Sequence, residues 1–188
     1  MREEMRRDFI YKAPELIVLE FSIRYLEMPV LEKKLAGATL LTQKVLSIGK
    51  SPSNLRGAVT RKWLTAETLI DWLREKKIFS VFFGTSLHPE VIKKSFHLLE
   101  FLYKHGELTE RELQKMWHIA TKKHEAFKLS IMRALIFMAS RMAPQELNFL
   151  FGKLQAMQLR EHDKSSLALL KAIAKALAPT QKEAAKRK

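Results

Sequence analysis

The sequence predicts an all-α fold: an armadillo- or HEAT-like α-solenoid of about seven or eight helices, with a compact helical bundle as the alternative. Three observations predict it. Glycine and proline are scarce, six of each in 188 residues, too few for a turn-rich β protein. Helix start and stop signals recur along the chain. Helix pairs follow one another at about 40 residues, over 15–48, 65–105, 109–142 and 144–178, the spacing of armadillo and HEAT repeats.

Each element has a local reason. Pro14 opens an apolar-periodic stretch, 15–27, in which Leu16, Leu19 and Ile23 share a face. After Pro29, Leu31, Leu35, Ala38, Leu41 and Val45 recur at helical spacing over 31–48, and Gly49 is placed to end that helix. KSPSNLRG, 50–57, reads as a loop. Thr65 N-caps a helix over 65–77 with Leu69, Trp72 and Leu73 on its apolar side. IFSVFF, 78–83, has strand-like residues but no partner strand, so it reads as a helical turn ending at Gly84.

The stretch 88–106 reads as one helix, with Pro89 in its first turn and Gly106 at its exit. Val91, Ser95, Leu98 and Leu102 form one stripe, with Ile92, Phe96, Leu99 and Tyr103 beside it. Thr109 and Glu112 match a capping box, after which Leu113, Met116, Trp117 and Ala120 face inward. An inner apolar helix covers 125–142, and Ala143–Pro144 opens another that ends near Met157. The last helix, 165–178, sets Leu167, Leu170, Ile173 and Leu177 opposite Lys171 and Lys175. The expected organisation is a polar extension over 1–12, one helical-repeat domain over 13–178 and a basic, flexible tail over 179–188.

The charge is +14, from 34 Lys plus Arg against 20 Asp plus Glu. It is spread over short groups such as REKK (74–77), KK (93–94) and KKH (122–124). This balance suits acidic partners or nucleic acid. No uncharged run approaches the roughly 18 residues a membrane helix needs, and the start lacks a signal-peptide pattern. There is no cysteine, which removes disulfides, thiolate metal sites and a cysteine nucleophile. The setting expected is intracellular, cytoplasmic or nuclear.

Motifs for chemistry fail on spacing. GKS, 49–51, lacks the earlier glycine of a phosphate loop, because Lys44 stands there. His124–Glu125 lacks the second histidine of HExxH, because Lys128 stands there. His88, His97 and His105 do not share a helix face, so no metal and no cofactor is expected. Trp63, Trp72 and Trp117 read as core before they read as a peptide groove. Lys50, Arg56, Arg61 and Lys62 lack the aromatic platform of a single-strand binder. The expectation is a non-enzymatic chain.

One ordered set of phrases goes further. WLREKKIF, Gly84, LHPEVIKKSF, FLYKHGELT and KMW run in sequence over 72–117, with KKHE after them and LEKKLAGATLL before them. This order resembles the non-catalytic helical region of the giant fat-facets-type ubiquitin-specific proteases. The positions that carry it are Trp72, Leu73, Ile78, Phe79, Gly84, Leu87, His88, Ile92, Lys93, Lys94, Ser95, Phe101, Leu102, Leu108, Thr109, Met116 and Trp117. The match is good over about 72–125, weaker over 31–48 and faint beyond 142. An insertion between Phe79 and Gly84 departs from the family pattern.

The resemblance implies an armadillo-like scaffold from a deubiquitinase: a piece of a larger enzyme or a stand-alone relative, since a ubiquitin-specific protease needs a cysteine nucleophile. It implies protein partners held by shape and charge on the concave face of stacked helices. With +14, those partners carry acidic segments. The candidate basic surface is Lys93, Lys94, Arg111, Lys115, Lys122 and Lys123. The alternative is a basic helical-repeat nucleic-acid-binding protein, whose affinity falls steeply with salt.

Overall fold

A computed structural model describes residues 2–48, 64–84 and 87–178, with side chains from residue 14 onward. Gly49 and the GKS tripeptide, the loop at 50–57, Arg61, Lys62, Trp63 and the tail over 179–188 lie outside the described residues, as do the side chains of 1–12. Ten α-helices and one 3-10 turn occur among the described residues, with no strand. The contacts divide into two compact units, Met1–Glu107 and Leu108–Lys188.

The first unit contains α1 (Arg2–Glu27), α2 (Leu31–Ile48), α3 (Ala66–Glu75), α4 (Ile78–Phe82), α5 (Pro89–Lys94) and α6 (Phe96–Lys104). Pro14 lies inside α1 and does not open it. Proline removes one amide donor from a helix interior, but the Glu, Met, Arg and Lys before it are strong helix formers. Leu19 and Ile23 are buried on α1; Ala38, Leu41 and Val45 are buried on α2. Leu16, Leu31 and Leu35 are only half-buried.

α1 and α2 pack together, and α2 also packs on α5 and α6. Thr65 caps α3 with the reciprocal bonds of a capping box, but Thr68, not an acidic residue, closes it. Lys77 takes the left-handed conformation (φ 49°) between α3 and α4. IFSVFF is helical, as its lack of a partner strand predicts. Ile78, Phe82 and Phe83 are buried, and Phe79 stacks on Phe83 at 4.7 Å between centroids.

The single helix expected over 88–106 is two. α5 ends and α6 begins at Ser95, whose buried hydroxyl donates to the Ile92 carbonyl (2.8 Å). A serine that bonds its own backbone competes with the helical ladder. Gly106 ends α6 in the left-handed region (φ 76°), and the Glu107 amide donates to the Leu102 carbonyl (2.8 Å). That is the six-to-one bond of a Schellman ending.

The second unit contains α7 (Glu110–Lys122), α8 (Glu125–Ala139), α9 (Pro144–Gln155), a 3-10 turn at Leu159–Glu161 and α10 (Lys164–Leu177). α7 packs on α8, and α8 and α9 each pack on α10. The capping box expected at Thr109 is present. Glu112 accepts from the Thr109 amide at 3.3 Å and from its hydroxyl. Leu113, Met116, Trp117 and Ala120 are buried, as is the row Ile131, Met132, Ala134, Leu135 and Met138 of α8. Thr109→Ala is expected to lower stability by about 1 kcal/mol through the lost cap, read as a shift in denaturation midpoint. A loss of partner binding without that shift would show that Thr109 is a contact residue.

α10 corrects one expectation. Its buried stripe is Ser166, Leu169 and Ile173, whereas Leu167 is 56% exposed and Leu177 38%. Leu170 is half-buried. The cause is the start of the helix. Asp163 is the N-cap, and its amide donates to the Ser166 hydroxyl (2.9 Å). This turns Ser166 inward and sets the phase of all that follows at 3.6 residues per turn.

Candidate partner-binding surface

The six basic side chains singled out above are all exposed. In the first unit Lys93 and Lys94 end the short helix α5. Lys93 pairs with Glu90 at 2.5 Å, so its charge is partly offset. The Lys94 carbonyl accepts from the Thr42 hydroxyl (2.9 Å), which ties α5 to α2. In the second unit Arg111, Lys115 and Lys122 stand four and seven residues apart on α7. That spacing lines them along one face, opposite buried Leu113, Met116, Trp117 and Ala120. His118, also exposed, falls on the same row. Lys115 is 3.7 Å from the half-buried Glu112, a long contact of small energetic weight. Lys123 follows the helix as its C-cap, with its ammonium 5.2 Å from the centre of the Phe127 ring.

The structure therefore aligns three of the six cations within one unit and sets two side by side in the other. The charges of REKK behave differently. Arg74 donates to Glu107 (2.5 Å) and to Asp71 (2.7 Å). Lys76 lies 2.7 Å from Glu20 and 5.9 Å from the centre of the Trp72 ring. The Lys76 hydrogen bond, against the opposing pull of burial, holds the Glu20 carboxyl below its ordinary range. Glu20 in return raises the Lys76 ammonium. These two cations are compensated within their own unit.

Trp72 and Trp117 are core residues, 8% and 6% exposed. The crevice lined by Phe79, Phe83, Ser95 and Leu98 is too narrow to admit a water molecule. Two histidines have local duties that the sequence reading missed. His88 Nδ1 accepts from the Glu90 amide (3.2 Å) and His124 Nδ1 from the Ala126 amide (3.3 Å), so each ring caps a helix. Position just before a helical stretch was the signal for both. No three His, Asp or Glu side chains converge as a metal site among the described residues. No helix there is long and apolar enough to cross a membrane.

The sequence over residues 12–188 matches one family, described as the UBP24/USP9X/USP9Y ARM repeat. The chain belongs to that family. The match extends the resemblance read over 72–125 to nearly the whole chain. The fold is accordingly of the all-α, armadillo-like class, and the chain corresponds to a non-catalytic region of large ubiquitin-specific proteases.

Ubiquitin carboxyl-terminal hydrolase 9X of Mus musculus is 26% identical over 163 residues, 86% of this chain and 6% of that protein. The probable ubiquitin carboxyl-terminal hydrolase FAF of Drosophila melanogaster is 30% identical over 112 residues, 59% of this chain and 4% of that protein. Ubiquitin carboxyl-terminal hydrolase 34 of Homo sapiens is 26% identical over 160 residues, 85% of this chain and 4% of that protein. The chain thus spans a small fraction of each relative's length.

Proposed function

We propose that this chain is a non-catalytic scaffold segment of a ubiquitin-specific protease, one that holds protein partners or substrates for deubiquitination. The observation that carries this reading is the ARM repeat match over residues 12–188. Helical repeats of this kind present extended surfaces on which partners are held without chemistry. The partners bear acidic segments, in keeping with the +14 charge and the exposed row Arg111, Lys115 and Lys122, joined by Lys123. Lys93 and Lys94 form a second, smaller basic site. The working location is intracellular, cytoplasmic or nuclear.

The test uses the purified full chain, a labelled polyglutamate peptide as acidic bait and a generic RNA, titrated across salt. The acidic bait is expected to bind at low salt and weaken as salt rises. Arg111→Glu with Lys115→Glu should weaken it about tenfold, a difference of about 1.4 kcal/mol, with unfolding unchanged because both positions are exposed. Tight RNA binding at physiological salt with no affinity for the acidic bait would overturn the scaffold reading in favour of nucleic-acid binding.

A further inference from the structure

We infer that the outward face of α7 holds a phosphorylated segment of a protein partner, with the phosphate clasped by Lys115, His118 and Lys122. His118 stands three residues after Lys115 and four before Lys122, so the three side chains are neighbours on one strip of helix surface. All three are exposed, and all three carry N–H donors. Arg111 lies one turn earlier, and from Arg111 to Lys122 the row runs about 16 Å at helical rise. Arg111 and Lys122 have no ion-pair partner among the described residues. Arg74 and Lys76, by contrast, are each matched to a carboxylate of their own unit.

The make-up of the face selects the occupant. Every exposed residue of α7 is polar, so apolar burial is not available here and charge must supply the binding. An exposed pair of one cation with one carboxylate contributes about fivefold in affinity or less. A phosphate monoester carries about two negative charges and three acceptor oxygens. It can therefore bridge neighbouring cations that a carboxylate meets singly. Position along the helix points the same way. Glu110 and Glu112 in the first turn offset Arg111, and the carbonyl end of the helix disfavours an anion at Lys123. His118 lies between these two ends. The phosphate sits there, and Arg111 takes a further acidic residue of the same segment. This inference deepens the scaffold reading and rests on its taking the partner to be a protein.

The experiment measures fluorescence anisotropy of three acidic peptides of one sequence against the full chain. They carry phosphoserine, glutamate or serine at one central position. The phosphopeptide should bind about tenfold more tightly than the glutamate peptide, and the serine peptide more weakly still. Lys115→Ala with Lys122→Ala should remove the advantage of phosphate while leaving the circular dichroism spectrum unchanged. Lys164→Ala with Lys171→Ala, exposed cations of α10, should leave that advantage intact. Equal binding of the phosphoserine and glutamate peptides would overturn the inference. So would an advantage that the α7 and α10 changes reduce alike, since net charge alone would then be read. Inorganic phosphate that competes as well as the phosphopeptide would overturn it too, as would a generic RNA that displaces the phosphopeptide at physiological salt. Polyglutamate binding without a preference for phosphate would sink this inference and leave the scaffold reading standing. Failure of polyglutamate and phosphopeptide together would sink both.

Discussion

Gly37→Ala is expected to destabilise the Met1–Glu107 unit by about 2 kcal/mol, although alanine is the better helix former. Gly37 sits in α2 where that helix meets α1. A Cβ built there falls 2.5 Å from the Ser22 carbonyl oxygen, 2.9 Å from the Leu26 amide nitrogen and 3.0 Å from the Tyr25 Cβ. Two of those atoms are backbone, so no side chain can turn aside to relieve the clash. The helices must separate, which loosens contacts around Leu19, Leu41 and Ala38, all fully buried. Overpacking of this kind typically costs about 1–3 kcal/mol, against a propensity gain of about 1 kcal/mol or less.

Gly152→Ala is the internal control. Gly152 is exposed in α9 and nothing lies within 4 Å of its added Cβ. That change should stabilise by about 0.5–1 kcal/mol through propensity alone. Urea denaturation reads the signs, and amide hydrogen exchange locates the Gly37 effect in α1 and α2. Two substitutions of the same sign would show that the α1–α2 approach does not depend on glycine.

Elements whose sequence signals are local were legible. Thr65, Thr109 and Pro144 sit at helix starts, Gly106 at an end, and the inward faces of α3 and α7 follow from periodicity. Features that depend on a second element were not. The Gly37 contact requires knowing that Ser22 lies opposite. The break at Ser95 arises from a hydroxyl bonding its own backbone, which a periodic pattern cannot report. The face of α10 was misread because leucine and alanine occupy both its sides, so apolarity alone does not choose between them. The phase was recoverable from Asp163 and Ser166, a cap and its reciprocal partner three residues on.

The candidate basic surface shows the same division. Alignment of Arg111, Lys115 and Lys122 follows from helix geometry and was readable. The compensation of Arg74 by Glu107 and of Lys76 by Glu20 was not, because each pair joins residues far apart in sequence.

Asp163→Ala should destabilise the Leu108–Lys188 unit by about 2–4 kcal/mol, because one carboxylate serves two structures. Its Oδ1 accepts from the Ser166 amide (2.8 Å), the Ser165 amide (2.9 Å) and the Ser165 hydroxyl (2.7 Å). Its Oδ2 meets the Lys128 ammonium of α8 at 2.7 Å. Loss of the cap costs about 1 kcal/mol or somewhat more. The rest comes from Lys128, whose side chain is only 15% exposed and would lose its counter-charge. Asp163→Asn keeps an oxygen for the amides but no charge, so it should cost less than alanine.

The two variants also differ in pH response. Burial pushes the Asp163 carboxyl up, but Lys128 and the Ser165 and Ser166 donors together outweigh it and hold the pKa far below the ordinary value. A carboxyl with a depressed folded pKa contributes stability that is full above its unfolded pKa, about 3.9. That contribution is lost as pH falls from there towards the folded pKa. The wild-type advantage over Asp163→Asn should therefore be constant from pH 7 to about pH 5 and shrink below about pH 4. Denaturant titrations of both proteins across that range measure it. An advantage that stayed flat to pH 3 would show that the charge of Asp163 contributes nothing, neither to the Lys128 pair nor to the cap bonds from Ser165 and Ser166.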